Sequence, residues 1–267
     1  TRVRDLDAAH LCAKRIVETM AEPFSLMGQT VRVSASVGVA YSHTRGVDAE
    51  EFMRQADLAL YAAKRAGRST YADYDASLNQ QERTRRDLEL DLRTAITEGQ
   101  FTLVYQPQVC LDTGEWTGKE TLVRWEHPAR GRIMPVEFID IAEETGLIIP
   151  LGEWIIREAI REAASWKEPH RIAINLSPIQ MRSPSLLTVL TSAIVNAQID
   201  PQRVEIEITE STLMQDSDAN VEILHRLREL GVRIALDDFG TGYSSLNYLR
   251  AFPFDKIKID RCFVSEM

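Results

Sequence analysis

Two adjacent carboxylates, Asp237 and Asp238, close an apolar strand (Val232-Arg233-Ile234-Ala235-Leu236) and run into Phe239-Gly240-Thr241-Gly242, a turn with two glycines. Neighbouring like charges repel, and burying even one costs several kcal/mol unless a partner compensates. A divalent cation is one such partner, and Gly240 and Gly242 would let the backbone pass close to it. A solvated Asp-Asp-x-Gly surface turn is the alternative. This segment alone leaves the choice open; other strands narrow it.

Side chains alternate between the two faces of a strand, so each candidate strand divides by parity. In Ile172-Ala173-Ile174-Asn175-Leu176, the aliphatic face is opposed by Ala173 and Asn175. In Val204-Glu205-Ile206-Glu207-Ile208-Thr209, it is opposed by Glu205, Glu207 and Thr209. Asp237 opposes Ile234 and Leu236, Lys258 opposes Ile257 and Ile259, and Glu120 shares a face with Arg124. If helices cover the aliphatic faces, the polar set points into the interior of a barrel. Such interiors are ordinarily filled by branched apolar residues. A carboxylate-rich interior with an amide at the C-terminal strand ends suits an oxygen-liganded divalent metal. Parity does not say what such a site binds.

The elements that would position these residues follow from periodicity. After Gly99, strands near 101–108, 117–125, 171–177, 203–209, 232–237 and 255–260 alternate with helices near 136–145, 150–166, 184–198 and 217–230. That alternation predicts an α/β class with a parallel sheet or barrel. Pro135 suits a first helical position, and Gly146 and Gly231 suit helix ends. Upstream, residues 1–75 form a separate block. It holds a helix over 7–20, a β-hairpin from Phe24-Ser25-Leu26 and Val31–Val39, a helix over 49–66 ending at Gly67, and a strand near 70–74. The polar stretch 76–98 reads as a linker helix leading to a third region, 99–267.

Composition limits the function classes. The 267 residues carry 31 basic against 40 acidic side chains, a net charge of −9, and 44% are hydrophobic. The core is sizeable, and the acidic balance argues against a nucleic-acid polymer as partner, since such proteins usually carry a basic stripe. A small phosphorylated ligand held by metal and a few cations is compatible. Cys12, Cys110 and Cys262 are widely spaced and form no C-x-x-C, so a disulfide framework or zinc site is not expected, and a cytoplasmic setting fits. No apolar run is long enough to span a membrane. Thr1 is not an initiator Met, and we expect both ends to be cut, with a membrane anchor elsewhere in the parent left open.

Residues from about 88 onward resemble the EAL-type cyclic di-GMP phosphodiesterases. The signature appears as Glu120-Thr121-Leu122, followed by Val123-Arg124-Trp125; Asn175-Leu176-Ser177, Glu207-Ile208-Thr209-Glu210, the Asp-Asp-Phe-Gly-Thr-Gly loop and Asp255-Lys256-Ile257-Lys258-Ile259-Asp260 follow in order. The resemblance implies a (β/α)8 TIM-like barrel with an antiparallel first strand, here partial. It implies that Glu120, Asn175, Glu207 and Asp237 ligate two Mg2+ or Mn2+ ions, with Asp238 joining at the second. Lys258 would orient or activate the attacking water, making Lys258, Glu120 and Asp237 the catalytic set. Arg124 would hold a substrate phosphate, and Gln106 would contact the ligand. Glu210 is either a tether for the loop carrying Asp237 and Asp238 or an exposed carboxylate leading a helix. The implied reaction opens one phosphodiester bond of cyclic di-GMP to give linear pGpG, and the implied assembly is a homodimer through the EAL-type domain.

Two departures bear on this. Thr121 replaces the family's alanine, but its parity turns it from Glu120, so only packing should change. The family's later glutamate motif and last strands have no counterpart before Met267, so the fragment alone is expected to be weak or inactive where its parent is active. Residues 1–75 resemble the C-terminal part of a GGDEF-type diguanylate cyclase domain, an incomplete α+β unit. The match rests on Ser34-Ala35-Ser36-Val37-Gly38-Val39-Ala40 and on Ala56–Arg68. Lys64 and Arg68, placed on one helix face, would touch GTP phosphates by that resemblance; a solvated basic face is the plainer reading. The block is expected to be regulatory. The rival to an enzyme is a catalytically silent cyclic di-GMP sensor signalling through a protein partner.

Overall fold

The computed structural model describes residues 6–26, 29–42, 48–214, 217–240, 252 and 254–263. The chain divides into two compact units, Thr1–Asp87 and Leu88–Met267.

In the first unit, α1 (Leu6–Ala21) and α2 (Ala49–Arg65) accompany four short strands, β1 (Phe24–Leu26), β2 (Gln29–Val31), β3 (Val37–Val39) and β4 (Tyr71–Asp73). The expected hairpin is shorter than the apolar pattern suggested. β1 pairs antiparallel with β2 only, whereas β3 turns away and pairs in parallel with β4. Asp48 caps α2 by accepting from the Glu50 N–H, and Lys64 and Arg65 fall in the last turn. The helix stops there because Gly67, Arg68 and Ser69 all have positive φ. Arg68 therefore lies beyond the helix, and the shared helical face expected of Lys64 and Arg68 does not exist. Both side chains are exposed. A long helix, α3 (Ser77–Glu98), starts in the first unit and ends in the second.

The second unit is an α/β sheet whose strands are β5 (Phe101–Val109), β6 (Trp116–His127), β7 (Gly131–Ile133), β8 (Arg171–Asn175), β9 (Val204–Thr209), β10 (Arg233–Phe239) and β11 (Lys256–Ile259). They run in the order β11-β10-β9-β8-β6-β5, with β7 on β6. β5 and β7 pair antiparallel with β6, and β6, β8, β9, β10 and β11 are mutually parallel. Helices α4 (Pro135–Glu144), α5 (Ile148–Ser165), α6 (Pro178–Met181), α7 (Leu186–Ala197), α8 (Glu210–Met214) and α9 (Ser217–Glu229) fill the connections.

Parity places the core. Ile172, Ile174, Ile206, Ile208, Ile234 and Leu236 face the helices and are buried with Ile156, Ile160, Leu190, Leu224 and Leu227. A second core joins Leu88, Leu92 and Ala95 of α3 to Phe101, Trp125 and Phe138, whose rings meet at 5.6–5.8 Å. Six strands laid flat would separate the outer two by about 24 Å at the usual strand spacing. Here the Lys256 ammonium on β11 donates to Gln108 Oε1 on β5 at 2.8 Å. The sheet is curled so that its opposite edges meet through their inward side chains.

Candidate metal centre

The inward face carries its charged groups in two levels. At the upper level stand Glu120, Asn175, Glu207, Asp237 and Lys258. Parallel register sets Asn175 beside Glu207 and Glu207 beside Ala235, two residues before Asp237. One ligand oxygen from each of Glu120, Glu207 and Asp237 lies within 4.8 Å of the others. Lys258 Nζ sits among them, donating to Asp237 Oδ2 at 2.7 Å, Glu207 Oε2 at 2.8 Å and Glu120 Oε2 at 3.2 Å. Asn175 Nδ2 donates to Glu120 Oε1 at 2.9 Å. Strand β8 can release Asn175 at its end because Ser177 caps α6 immediately afterwards, accepting from the Gln180 N–H.

The register between β10 and β11 slips at this point. Leu236 pairs with Ile257 and Phe239 with Ile259, so Asp237 and Asp238 together oppose the single residue Lys258. This is a bulge, a device that re-aims side chains beside functional sites. Asp238 takes the left-handed conformation, φ 53°, one that aspartate tolerates better than most residues. Strict alternation would send the two consecutive carboxylates to opposite faces; of the pair it is Asp237 whose oxygen joins those of Glu120 and Glu207 within 4.8 Å. Asp238 is exposed as a residue, but partial desolvation of its carboxyl, followed by the charges of Asp237 and Asp260, pushes its pKa up. Gly240 follows with φ 101°, and its N–H donates to Glu210 Oε2 at 3.0 Å. Glu210 is buried at the start of α8 and not exposed. Thr241 and Gly242 lie outside the described residues.

Burial dominates the electrostatics. Glu207 is fully buried, and desolvation raises its pKa to about 7 although Lys258 works against the rise. Burial disfavours the Lys258 ammonium too, but hydrogen bonds to Asp237 and Glu207 outweigh it and hold its pKa above the ordinary lysine range. Lys258 is therefore a charged donor at neutral pH. Three carboxylates against one ammonium leave an excess of negative charge in a partly dry site. Hard carboxylate and amide oxygens of this kind fit Mg2+ or Mn2+ better than softer, sulfur-seeking metals. The residues present thus fit a divalent cation.

Other expected site residues stand nearby. Gln106 is exposed and lies directly opposite Glu120 across the β5/β6 pair. Arg124 is half-buried on the Glu120 face, with its guanidinium donating to the carbonyl of Val123 at 2.8 Å. Asn175 and Glu207 also line a cavity of about 470 Å3 with Ser177, Thr209, Pro135 and Ile139. Thr121 faces away from Glu120 into this helix-side layer; it is buried and its Oγ1 has no hydrogen-bond partner. Parity places Glu205 on the inward face, where Lys256 is its partner and in turn donates to Gln108; the sequence reading identifies neither contact. The alternation of Lys256 with Lys258 was the available signal.

Residues 89–267 match the EAL domain, and residues 1–70 match the diguanylate cyclase GGDEF domain. An uncharacterized signaling protein of Caulobacter vibrioides is 46% identical over 96% of this chain and 32% of its own length. The bifunctional diguanylate cyclase/cyclic di-GMP phosphodiesterase MucR of Pseudomonas aeruginosa is 41% identical over 98% of this chain and 38% of its own. The chain thus spans roughly a third of these relatives. A solved structure described as the PaMucR phosphodiesterase in complex with c-di-GMP superposes with a TM-score of 0.65 at 43% identity, covering 67% of this chain and 74% of that one. The chain belongs to the EAL domain family over residues 89–267, preceded by the C-terminal part of a GGDEF domain.

Proposed function

We propose that the EAL half hydrolyses one phosphodiester bond of cyclic di-GMP to linear pGpG in second-messenger signalling. The observation that carries this reading is the convergence of Glu120, Glu207 and Asp237 within 4.8 Å around the ammonium of Lys258. Membership in a family whose relatives include cyclic di-GMP phosphodiesterases names the substrate class.

In this reading Glu120, Asn175, Glu207 and Asp237 would hold two Mg2+ or Mn2+ ions, with Asp238 joining at the second. When bound, the ions supply Lewis acidity toward water and toward the phosphoryl oxygens. Lys258 donates hydrogen bonds and orients the group that attacks phosphorus. Arg124 swings from the Val123 carbonyl to a phosphate, for which its planar fork of donors is suited. Gln106, opposite Glu120, contacts the ligand at the rim, and Glu210 holds the Asp237-Asp238 turn through Gly240. The domain limits 1–75, 76–98 and 99–267 and a homodimer through the EAL half belong to this reading. So do a regulatory N-terminal block and a cytoplasmic setting. No helix among the described residues is long and apolar enough to cross a membrane.

The test is incubation of the full-length parent with cyclic di-GMP and Mn2+, with chromatographic separation of nucleotides. Appearance of pGpG that is abolished in Glu120→Gln and Asp237→Asn supports the reading. Tight binding of cyclic di-GMP without any pGpG would instead mark a sensor.

A further inference from the structure

Beneath the upper cluster lies a second set of inward residues, with Glu205 and Lys256 two positions before Glu207 and Lys258 and Gln108 on the antiparallel β5. Glu205 is 1% exposed and stands below Glu207 on β9. Lys256 Nζ donates to Glu205 Oε1 at 2.5 Å and to Gln108 Oε1 at 2.8 Å. Arg233 Nε lies 3.9 Å from the other Glu205 oxygen. Gln108 Nε2 in turn reaches Glu207 Oε1 at 3.4 Å. A chain of contacts therefore runs from Glu205 through Lys256 and Gln108 to Glu207.

Three features give this chain a direction. An ammonium only donates, so the Gln108 atom facing Lys256 must be its oxygen, and the amide N–H groups must face Glu207. Gln108 stands opposite Gly118 across the β5/β6 pair, and a Cβ at Gly118 would lie 3.3 Å from Gln108 Oε1 and 3.1 Å from the Arg171 carbonyl. The missing side chain thus opens the lane along which Gln108 crosses the interior. Finally, both oxygens of Glu207 are assigned, Oε1 to Gln108 and Oε2 to Lys258. Its carboxylate is oriented from below by one and from above by the other.

The geometry points to Gln108 as a positioning residue: locked in one amide orientation by Lys256 and given room by Gly118, it fixes the Glu207 carboxylate and thereby tunes divalent-metal affinity. This rests on the reading of Glu207 as a metal ligand. Groups that orient metal ligands typically change affinity about 10–100-fold when removed.

The experiment is Mn2+ titration by calorimetry on the whole 267-residue chain, with thermal unfolding of each metal-free variant in parallel. Gln108→Met keeps length and volume but removes both hydrogen-bonding atoms. It should weaken Mn2+ about tenfold with little change in Tm. Lys256→Met alone leaves buried Glu205 with only the long 3.9 Å contact to Arg233, so the paired variant Glu205→Leu with Lys256→Met is the cleaner probe. Its Tm should recover, while Mn2+ binding stays weak because the Gln108 amide is now free to present its oxygen to Glu207. Should Gln108→Met fail to fold, Gly118→Ala displaces Gln108 from its lane and should weaken Mn2+ likewise. Wild-type affinity, within about twofold, in Gln108→Met and in the paired variant overturns the inference, provided Glu207→Gln has lost the metal. If wild-type protein takes up no Mn2+, or Glu207→Gln binds as well as wild type, the underlying metal-centre reading fails instead.

Discussion

Replacing Lys258 by methionine removes the ammonium that three carboxylates share, and the consequence can be worked through. At an effective dielectric of 20, a unit pair at 2.7–3.2 Å is worth about 5–6 kcal/mol before desolvation, and two carboxylate oxygens 4.8 Å apart repel by about 3.5 kcal/mol. Three mutually repelling carboxylates cannot all remain ionised without the ammonium, so the metal-free variant should keep one proton, on buried Glu207. Losing one partner of a buried pair costs about 3–5 kcal/mol. The sign with pH follows from proton counting. Above about pH 6 the unfolded chain holds no carboxyl proton, while the folded variant holds one, so its stability falls by about 1.4 kcal/mol per pH unit. In wild type the Glu207 pKa is raised to about 7, so that fall is essentially over by pH 7.5, and only about 0.1–0.2 kcal/mol remains to be lost by pH 8.5. Urea unfolding in EDTA measures this. Trp116, Trp125, Trp154 and Trp166, the four tryptophans of the chain, all lie after residue 88, so their fluorescence reports the second unit alone. Parallel stability curves for variant and wild type between pH 7.5 and 8.5, or a variant more stable than wild type, would refute the reasoning.

Other consequences are simpler to state. Glu210→Ala strips the Gly240 N–H of its acceptor; unfolding should come about 1–2 kcal/mol earlier, and pGpG production should fall further than in Glu210→Gln, which keeps an acceptor. Thr121→Val removes a buried hydroxyl that has no partner while keeping its shape, and should raise stability by about 1 kcal/mol in urea titration. Because the Glu207 pKa is raised to about 7, protons compete with metal below neutrality. Mn2+ uptake should weaken from pH 8 to pH 6, and at pH 6 it should release a proton, seen as a dependence of calorimetric heat on buffer ionisation enthalpy.

Parity was enough to gather the upper cluster, because parallel strands in register put like-numbered positions side by side and helices on one face leave the other for polar groups. Glu120, Asn175, Glu207, Asp237 and Lys258 were all legible in this way as occupants of one face. The bulge at Asp237-Asp238 was not, since it depends on a slip relative to β11 that no strand reveals alone. Gln108 was hidden for a related reason: it lies on the antiparallel β5, at the opposite end of the sheet order from Lys256, and meets it only because the sheet curls. The short elements β7, α6 and α8 span 3–5 residues and show no periodicity to read. In the first unit the apolar run Val31–Val39 reads as one strand, yet its second half exchanges hairpin pairing for parallel pairing with β4. Local pattern does not encode which partner a strand will find.

The charges at the mouth bear on how substrate would be admitted. With Glu120, Glu207, Asp237 and Asp238 ionised, four carboxylates face the one ammonium of Lys258, and the chain as a whole carries −9. Such a mouth repels a phosphodiester, since like charges brought together in a low-dielectric site cost several kcal/mol. Two divalent cations would turn the local excess of three negative charges into one positive charge. Metal would then be a condition for binding as well as for chemistry. Accordingly, cyclic di-GMP should bind the protein at least about tenfold more weakly in EDTA than in Ca2+, a divalent oxygen-seeking ion of looser geometry that can stand in for charge. Arg124→Ala should weaken binding in Ca2+ more than in EDTA, because the guanidinium can engage a phosphate only after the repulsion is lifted. Equal affinity in EDTA and Ca2+ would show that the carboxylates do not face the ligand, and the case for a metal-gated mouth would fall with them.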